Sequence, residues 1–282
     1  MAARLALLSG ALALVACSTT LNLGGSATAP TEDAEAQAAS PANIASLTEV
    51  VTRNPNDAQA YNVRGSVLGR AGRNQEALAD FNRAIAIDAN YAQAYANRGQ
   101  VHRQMNSVDL ALADYNKALS LDQNYATAYL GRGQVYKAQG RALDALNDYN
   151  RAIQMSPGNG QAYYQRGLLY QAQGQHKFAV DDFSTALGII QQQAEPFIAR
   201  GLSRLALGDA KAAASDLDNA VEVEPESLNA WTSRGLAYER LGDKEKAAAS
   251  YAKAIALKKD HEAERKGFAR VGGKTGVVYQ PF

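Results

Sequence analysis

The sequence predicts an all-α fold in which six helix–turn–helix units follow one another along the chain. Three observations support this prediction. The dipeptide Arg-Gly occurs six times at intervals of 34 residues, from Arg64-Gly65 to Arg234-Gly235. An aromatic residue precedes each arginine by three positions, and a glycine or asparagine follows in every copy. A second amphipathic run with recurring alanines then completes each unit, as a second helix would.

The six copies occupy residues 58–91, 92–125, 126–159, 160–193, 194–227 and 228–261 without insertion. The aromatics that open them are Tyr61, Tyr95, Tyr129, Tyr163, Phe197 and Trp231. The predicted turns lie at Gly72, Asn106, Gly140, Gly174, Gly208 and Gly242. Glycine and asparagine are the residues that most readily adopt the left-handed conformation after a helix.

The second helix of each copy carries alanine, an aromatic or leucine, and alanine again at fixed positions. In the first copy these residues are Ala77, Phe81 and Ala84. Two helices approach closely only where side chains are small. We therefore expect Gly65 and its equivalents to face the alanines of the second helix.

This pattern of period and landmarks resembles the tetratricopeptide repeat. The resemblance covers 204 of the 282 residues. It implies a right-handed α-solenoid, in which the first helix of each unit (helix A) lines a concave groove for protein or peptide ligands and the second (helix B) lies outside. Two departures stand out. The closing proline remains only at Pro157 and Pro225, and arginine replaces the leucine that usually precedes the helix-A glycine.

The arginines have matching carboxylates on helix B. Aspartate occurs in five copies one residue before the helix-B aromatic or leucine, and Ser250 takes this place in the sixth. The aspartates are Asp80, Asp114, Asp148, Asp182 and Asp216. We expect Arg–Asp pairs that hold helix A to helix B within a copy or to the next copy. The alternative is an arginine ladder that binds an anionic ligand.

Capping helices are predicted at both ends, because a solenoid must cover the apolar faces of its terminal units. Residues 41–57 read as an unpaired helix B in front of the first copy. Residues 262–282 read as a charged closing helix followed by a tail.

The first residues predict export. Residues 1–16 contain Arg4 and then an apolar run of the length of a signal peptide. The string Leu14-Val15-Ala16-Cys17 resembles the lipobox of bacterial lipoproteins, which implies acylation of Cys17 and a lipidated, flexible tether over 17–40. We expect a lipid-anchored protein of the bacterial envelope that faces the periplasm, at the outer membrane. A conventional signal peptide with an incidental cysteine is the alternative.

Composition and motifs favour a protein without catalytic activity. The net charge of +1 provides no basic face for nucleic acid, and three histidines with one cysteine show no metal-ligand spacing. No residues form a nucleophile or acid–base constellation. We therefore predict no enzyme, no cofactor, no metal and no small-molecule substrate, and membrane attachment through the lipid alone.

Function is then expected on the inner wall formed by the A helices. Places spaced by three and four residues give a polar, mildly basic front half and an apolar back half. The candidate partner-binding residues are Asn62, Gln100, Arg103, Leu130, Gln134, Lys137, Tyr164, Leu168, Ile198, Leu202, Leu205 and Leu236. The apolar residues could instead pack helix A against its neighbours. A carboxylate clamp built on Asn62 and Asn97 is not expected, because no lysine accompanies them.

The resemblances imply a protein–protein interaction scaffold that recruits envelope enzymes through its groove. The alternative is a pilotin-like assembly factor for an outer-membrane pilus or secretion pore subunit. A hydrophobic groove ligand would favour the assembly factor, and a polar contact in the front half would favour the scaffold.

Overall fold

A computed structural model describes residues 39–190, 192–258 and 262–274, together with 277 and 279. These residues form fourteen helices and no strand, which confirms the all-α prediction. The proposed signal peptide, Cys17 and most of the tether lie outside the described residues, as does most of the tail after 274.

The helices follow the predicted order of cap, hairpins and cap. Helix α1 spans Pro41–Arg53 and α14 spans Glu262–Arg270. The A helices are α2 (Ala58–Arg70), α4 (Ala92–Gln104), α6 (Ala126–Ala138), α8 (Gly160–Ala172), α10 (Ala194–Ala206) and α12 (Leu228–Leu241). The B helices are α3 (Asn74–Ile87), α5 (Val108–Leu121), α7 (Ala142–Met155), α9 (His176–Ile189), α11 (Ala210–Val223) and α13 (Lys244–Leu257).

Each helix packs mainly against its neighbours in the chain, and each A helix also contacts the A helix of the next unit. Packing that extends from one unit only to the next defines a solenoid. Because successive A helices approach one another, they form a continuous wall along the solenoid.

The hairpin turns have the predicted backbone. Gly72 has φ 73° and Asn106 has φ 57°, and the other four predicted turn glycines also have positive φ. The amide of the residue after Gly72 donates to the carbonyl of Leu68, which closes the end of α2. This arrangement satisfies carbonyl groups that a helix end leaves free.

The glycine of each Arg-Gly faces a helix-B side chain that is usually a ring, and the expectation that it would face the alanines was wrong. A Cβ on Gly65 would lie 2.9 Å from a ring carbon of Phe81, and one on Gly167 would lie 2.7 Å from the ring of Phe183. Both rings are almost completely buried. The glycine therefore makes room for a large side chain, while the helix-B alanines fill the remaining core.

The predicted Arg–Asp pairs form within each of the first five copies. In the third copy, Nε and Nη2 of Arg132 donate to both carboxylate oxygens of Asp148, each at 2.8 Å. Nη1 of Arg132 donates at 2.7 Å to Asn116, on helix B of the preceding unit. The guanidinium also lies 5.6 Å from the ring centre of Tyr129, which opens the copy. Each arginine thus ties together two B helices and its own A helix, and its charge is neutralised internally.

The sixth copy preserves the network although Ser250 replaces the aspartate. Arg234 donates through Nε to Asp218 at 2.6 Å and through Nη1 to Ser250 at 2.8 Å. Asp218 occupies the place that Asn116 occupies three units earlier. The carboxylate has therefore moved from the arginine's own unit to the preceding one.

Both ends of the array are covered by the expected helices. Ile44 and Leu47 of α1 join a core cluster with Val67 and Phe81. At the other end, α14 packs through Gly267, where a Cβ would lie 2.6 Å from the ring of Tyr251. Each cap thus takes the place of a neighbouring unit.

Candidate functional site: the inner wall

The front of the inner wall contains a polar pocket of about 310 Å³ between α2 and α4. Its lining residues are Ser66, Gly69, Arg70, Phe81, Gln93, Asn97, Gln100, Val101 and Gln104. Gln100 is exposed there, as the sequence predicted for a groove residue. The side-chain amides of α4 offer both donors and acceptors, the groups that a peptide backbone requires.

Asn62 supports this pocket from beneath and does not line it. Its side chain is only 2% exposed. The amide of Asn97 donates to Oδ1 of Asn62 at 2.9 Å and to the hydroxyl of Ser66 at 3.2 Å, so it bridges α4 and α2. Burial thus corrects the assignment of Asn62 as a direct partner contact, because its hydrogen bonds are used between helices.

Two half-buried cations, Arg103 and Lys137, occupy equivalent places on α4 and α6. Lys137 donates through Nζ to Oε1 of Gln165 at 2.6 Å. Neither cation forms an ion pair in the described part of the chain. Burial lowers the pKa of Lys137, and the positive charge of Arg103 acts in the same direction. Gln134, one turn before Lys137, is also half-buried.

A tyrosine that sequence reasoning assigned only to the core lies beside these cations. Tyr149 is completely buried, and its hydroxyl has no hydrogen-bond partner among the described residues. Burial raises its pKa, whereas the charge of Arg103 lowers it. The available signal was the residue type, since the equivalent residues Phe81 and Phe183 carry no hydroxyl.

Most apolar candidates in the middle and back of the wall take part in core packing. Leu130 packs against the cluster of Tyr149, and Tyr164 and Leu168 pack against that of Phe183. Ile198 and Leu205 pack against the cluster that contains Leu217 and Tyr238. Leu236 is half-buried, and Leu202 is 36% exposed. The open apolar surface is therefore smaller than the sequence pattern suggested.

Two further searches cover the described residues alone. No group of three or more histidine, cysteine or acidic side chains is placed to hold a metal ion. None of the helices found there has the length and apolar character needed to cross a bilayer.

Several solved structures resemble the chain. The protein YrrB, described as a TPR protein with an unusual peptide-binding site, is 28% identical, with a TM-score of 0.57 over 66% of this chain and 96% of YrrB. PilF of Pseudomonas aeruginosa is 18% identical, with a TM-score of 0.70 over 78% of this chain and 99% of PilF. The APC/C Cut9–Hcn1 hetero-tetramer is 16% identical, with a TM-score of 0.72 over 84% of this chain and 47% of the matched chain. At such low identity, the last two show the fold alone.

Family models support the same assignment. A model described as TPR repeat matches residues 70–106 and 99–140, and one described as tetratricopeptide repeat matches 130–194 and 198–262. The search of curated proteins found no match. The two models together match well over half of the chain, and this chain therefore belongs to the tetratricopeptide repeat family.

Proposed function

We propose that this protein is a non-catalytic adaptor that recruits enzymes of the bacterial envelope through its inner wall. Its repeats and its structural relatives support a protein-interaction scaffold. The observation that carries the finer proposal is the polar pocket beside Gln100, which provides amide donors and acceptors for an extended peptide. The peptide-binding site in the description of YrrB supports the same use of the wall.

The distribution of apolar side chains favours an adaptor over a pilotin-like assembly factor. An assembly factor that binds a hydrophobic segment needs an open apolar groove. Ile198 and Leu205 are instead engaged in the core, and Leu202 is left as a single exposed leucine. The polar front half is therefore the better candidate for the contact surface.

Photo-crosslinking in the native cell, followed by mass spectrometry, identifies the partner, and Gln100→Trp then tests the pocket. We expect this change to reduce recovery of that partner about tenfold, because the indole fills the pocket entrance and removes an amide. Gln75→Trp is the matched control, since Gln75 is an exposed glutamine on helix B.

Unchanged recovery with Gln100→Trp would contradict the adaptor proposal. Loss with Leu202→Asp alone would instead favour the assembly factor. Leu205→Asp is unsuitable for this comparison, because Leu205 packs against the buried cluster and a charge there would disturb the fold.

We also propose that acylated Cys17 anchors the adaptor to the outer membrane, facing the periplasm. With several acyl chains at ~0.8 kcal/mol per buried CH₂, the attachment is effectively permanent. Cys17→Ala is expected to move the protein from the membrane fraction to the soluble fraction, as followed by immunoblotting of separated envelopes. Ser18→Ala serves as the control and should stay with the membrane. Sedimentation of Cys17→Ala with the membrane would refute the anchor.

A further inference from the structure

The last unit shows how this chain holds a carboxylate on its inner wall. The hydroxyl of Tyr251 donates to Oε2 of Glu239 at 2.8 Å. Arg270 of α14 donates to both oxygens of Glu239, at 2.8 and 3.0 Å. A helix-B tyrosine and a basic side chain from the neighbouring inner-wall helix together satisfy one carboxylate. Such charge-assisted bonds are about twice as strong as neutral ones.

The second and third units contain the same donors without the carboxylate. Arg103 and Lys137 occupy the places equivalent to Glu239, and Tyr149 occupies the place equivalent to Tyr251. The hydroxyl of Tyr149 and Nε of Arg103 are both buried and lack a hydrogen-bond partner among the described residues. Buried donors without partners are rare, because each costs the desolvation free energy of the group.

The charges of these groups act on one another, so the groups form one local cluster. Arg103 influences the titration of both Tyr149 and Lys137. Two like charges that are partly removed from water repel each other, and an anion between them relieves that repulsion. The described chain supplies no acidic side chain to either cation. The neutral amide of Gln165 is the acceptor that Lys137 uses instead.

We propose that Arg103, Lys137 and the hydroxyl of Tyr149 bind a carboxylate of the peptide segment that occupies the inner wall. This inference rests on the proposed function, because it names the chemistry of that segment. The site differs from the clamp considered at Asn62 and Asn97, whose amides bond to each other. Glu239, held by Tyr251 and Arg270, is the example within the chain that identifies the missing group as a carboxylate.

A defined peptide tests this site in the purified full-length chain. The probe is a fluorescein-labelled hexapeptide of alternating alanine and glutamate, with binding measured by fluorescence polarisation. We expect Lys137→Gln, Arg103→Gln and Tyr149→Phe each to weaken binding about tenfold, because each removes one donor to the carboxylate. Lys211→Gln removes the same charge from an exposed place on α11 and should leave the affinity unchanged.

Tyr149→Phe is the variant that separates binding from folding. It keeps the ring that packs against Gly133 and removes only a hydroxyl without a partner, so the helical circular dichroism should be unchanged. A peptide with a C-terminal amide distinguishes the chain-terminal carboxylate from side-chain carboxylates, and a preference for either supports the site. Equal binding of a glutamine-for-glutamate peptide with a C-terminal amide would overturn the proposal. Affinity unaffected by the three substitutions, or no binding at millimolar peptide, would also overturn it.

Failure here is distinct from failure of the adaptor proposal. If recovery of the cellular partner depends on Gln100 and is unaffected by Lys137→Gln, the carboxylate site is refuted and the adaptor remains. If neither change affects recovery, the inner wall is not the contact surface.

Discussion

Asp148→Ser is expected to lower the free energy of unfolding by about 3–5 kcal/mol, the usual effect of removing one partner of a buried ion pair. The side chain of Asp148 is 6% exposed and that of Arg132 is 20% exposed. Serine cannot neutralise the guanidinium, so a partly buried charge is left without its carboxylate. Denaturant unfolding followed by circular dichroism measures the change.

A second substitution should restore most of this loss. Asn116 already accepts a hydrogen bond from Nη1 of Arg132 at 2.7 Å. Adding Asn116→Asp to Asp148→Ser reproduces the arrangement of the sixth copy, in which Arg234 is paired with Asp218 and bonded to Ser250. We expect the double variant to recover more than half of the stability that Asp148→Ser loses.

The control for this rescue places the same charge elsewhere. Asn147 is exposed on α7, beside the substituted position. Asp148→Ser with Asn147→Asp restores the net charge and should recover almost none of the stability. Equal recovery in both double variants would show that net charge matters and that the position of the carboxylate does not.

Phe183→Ala is the second change with a large expected effect. Its ring is 0% exposed and packs against Gly167. Truncation of a buried phenylalanine costs about 3–5 kcal/mol, because apolar contacts are lost and a cavity remains. The same unfolding measurement checks this prediction.

Phe178→Ala on the same helix is the matched control. Its ring is 60% exposed and contacts Tyr170 with a centroid distance of 5.5 Å. The expected loss is below about 1 kcal/mol, because an exposed substitution creates no buried cavity. Comparable losses at Phe183 and Phe178 would contradict the assignment of the helix-B ring as the core of each unit.

Much of the fold could be predicted because its determinants lie at fixed distances along the chain. The period of 34 residues, the turn residues and the Arg–Asp spacing of 16 residues recur in the sequence and each constrains the backbone locally. The capping helices followed from the same register. Asp218 could have been recognised too, since it lies one period after Ser184.

The candidate site was less accessible, because exposure on a wall depends on neighbouring units. Helical spacing places Asn62 and Leu205 on the groove side, yet Asn62 is bonded to Asn97 of the next unit and Leu205 packs against a cluster formed by later helices. The meaning of Tyr149 depended on what its hydroxyl meets, which its apolar register did not indicate.

The sequence by itself determined the class of fold, the hairpins and the arginine network, because each depends on residue types that repeat in register. Only the tertiary structure decided which inner-wall side chains are open, that Gly65 and its equivalents face the large helix-B side chains, and that two cations lack a carboxylate. The physical reason is that contact between units depends on the distance between helices and on the size of side chains contributed by different repeats.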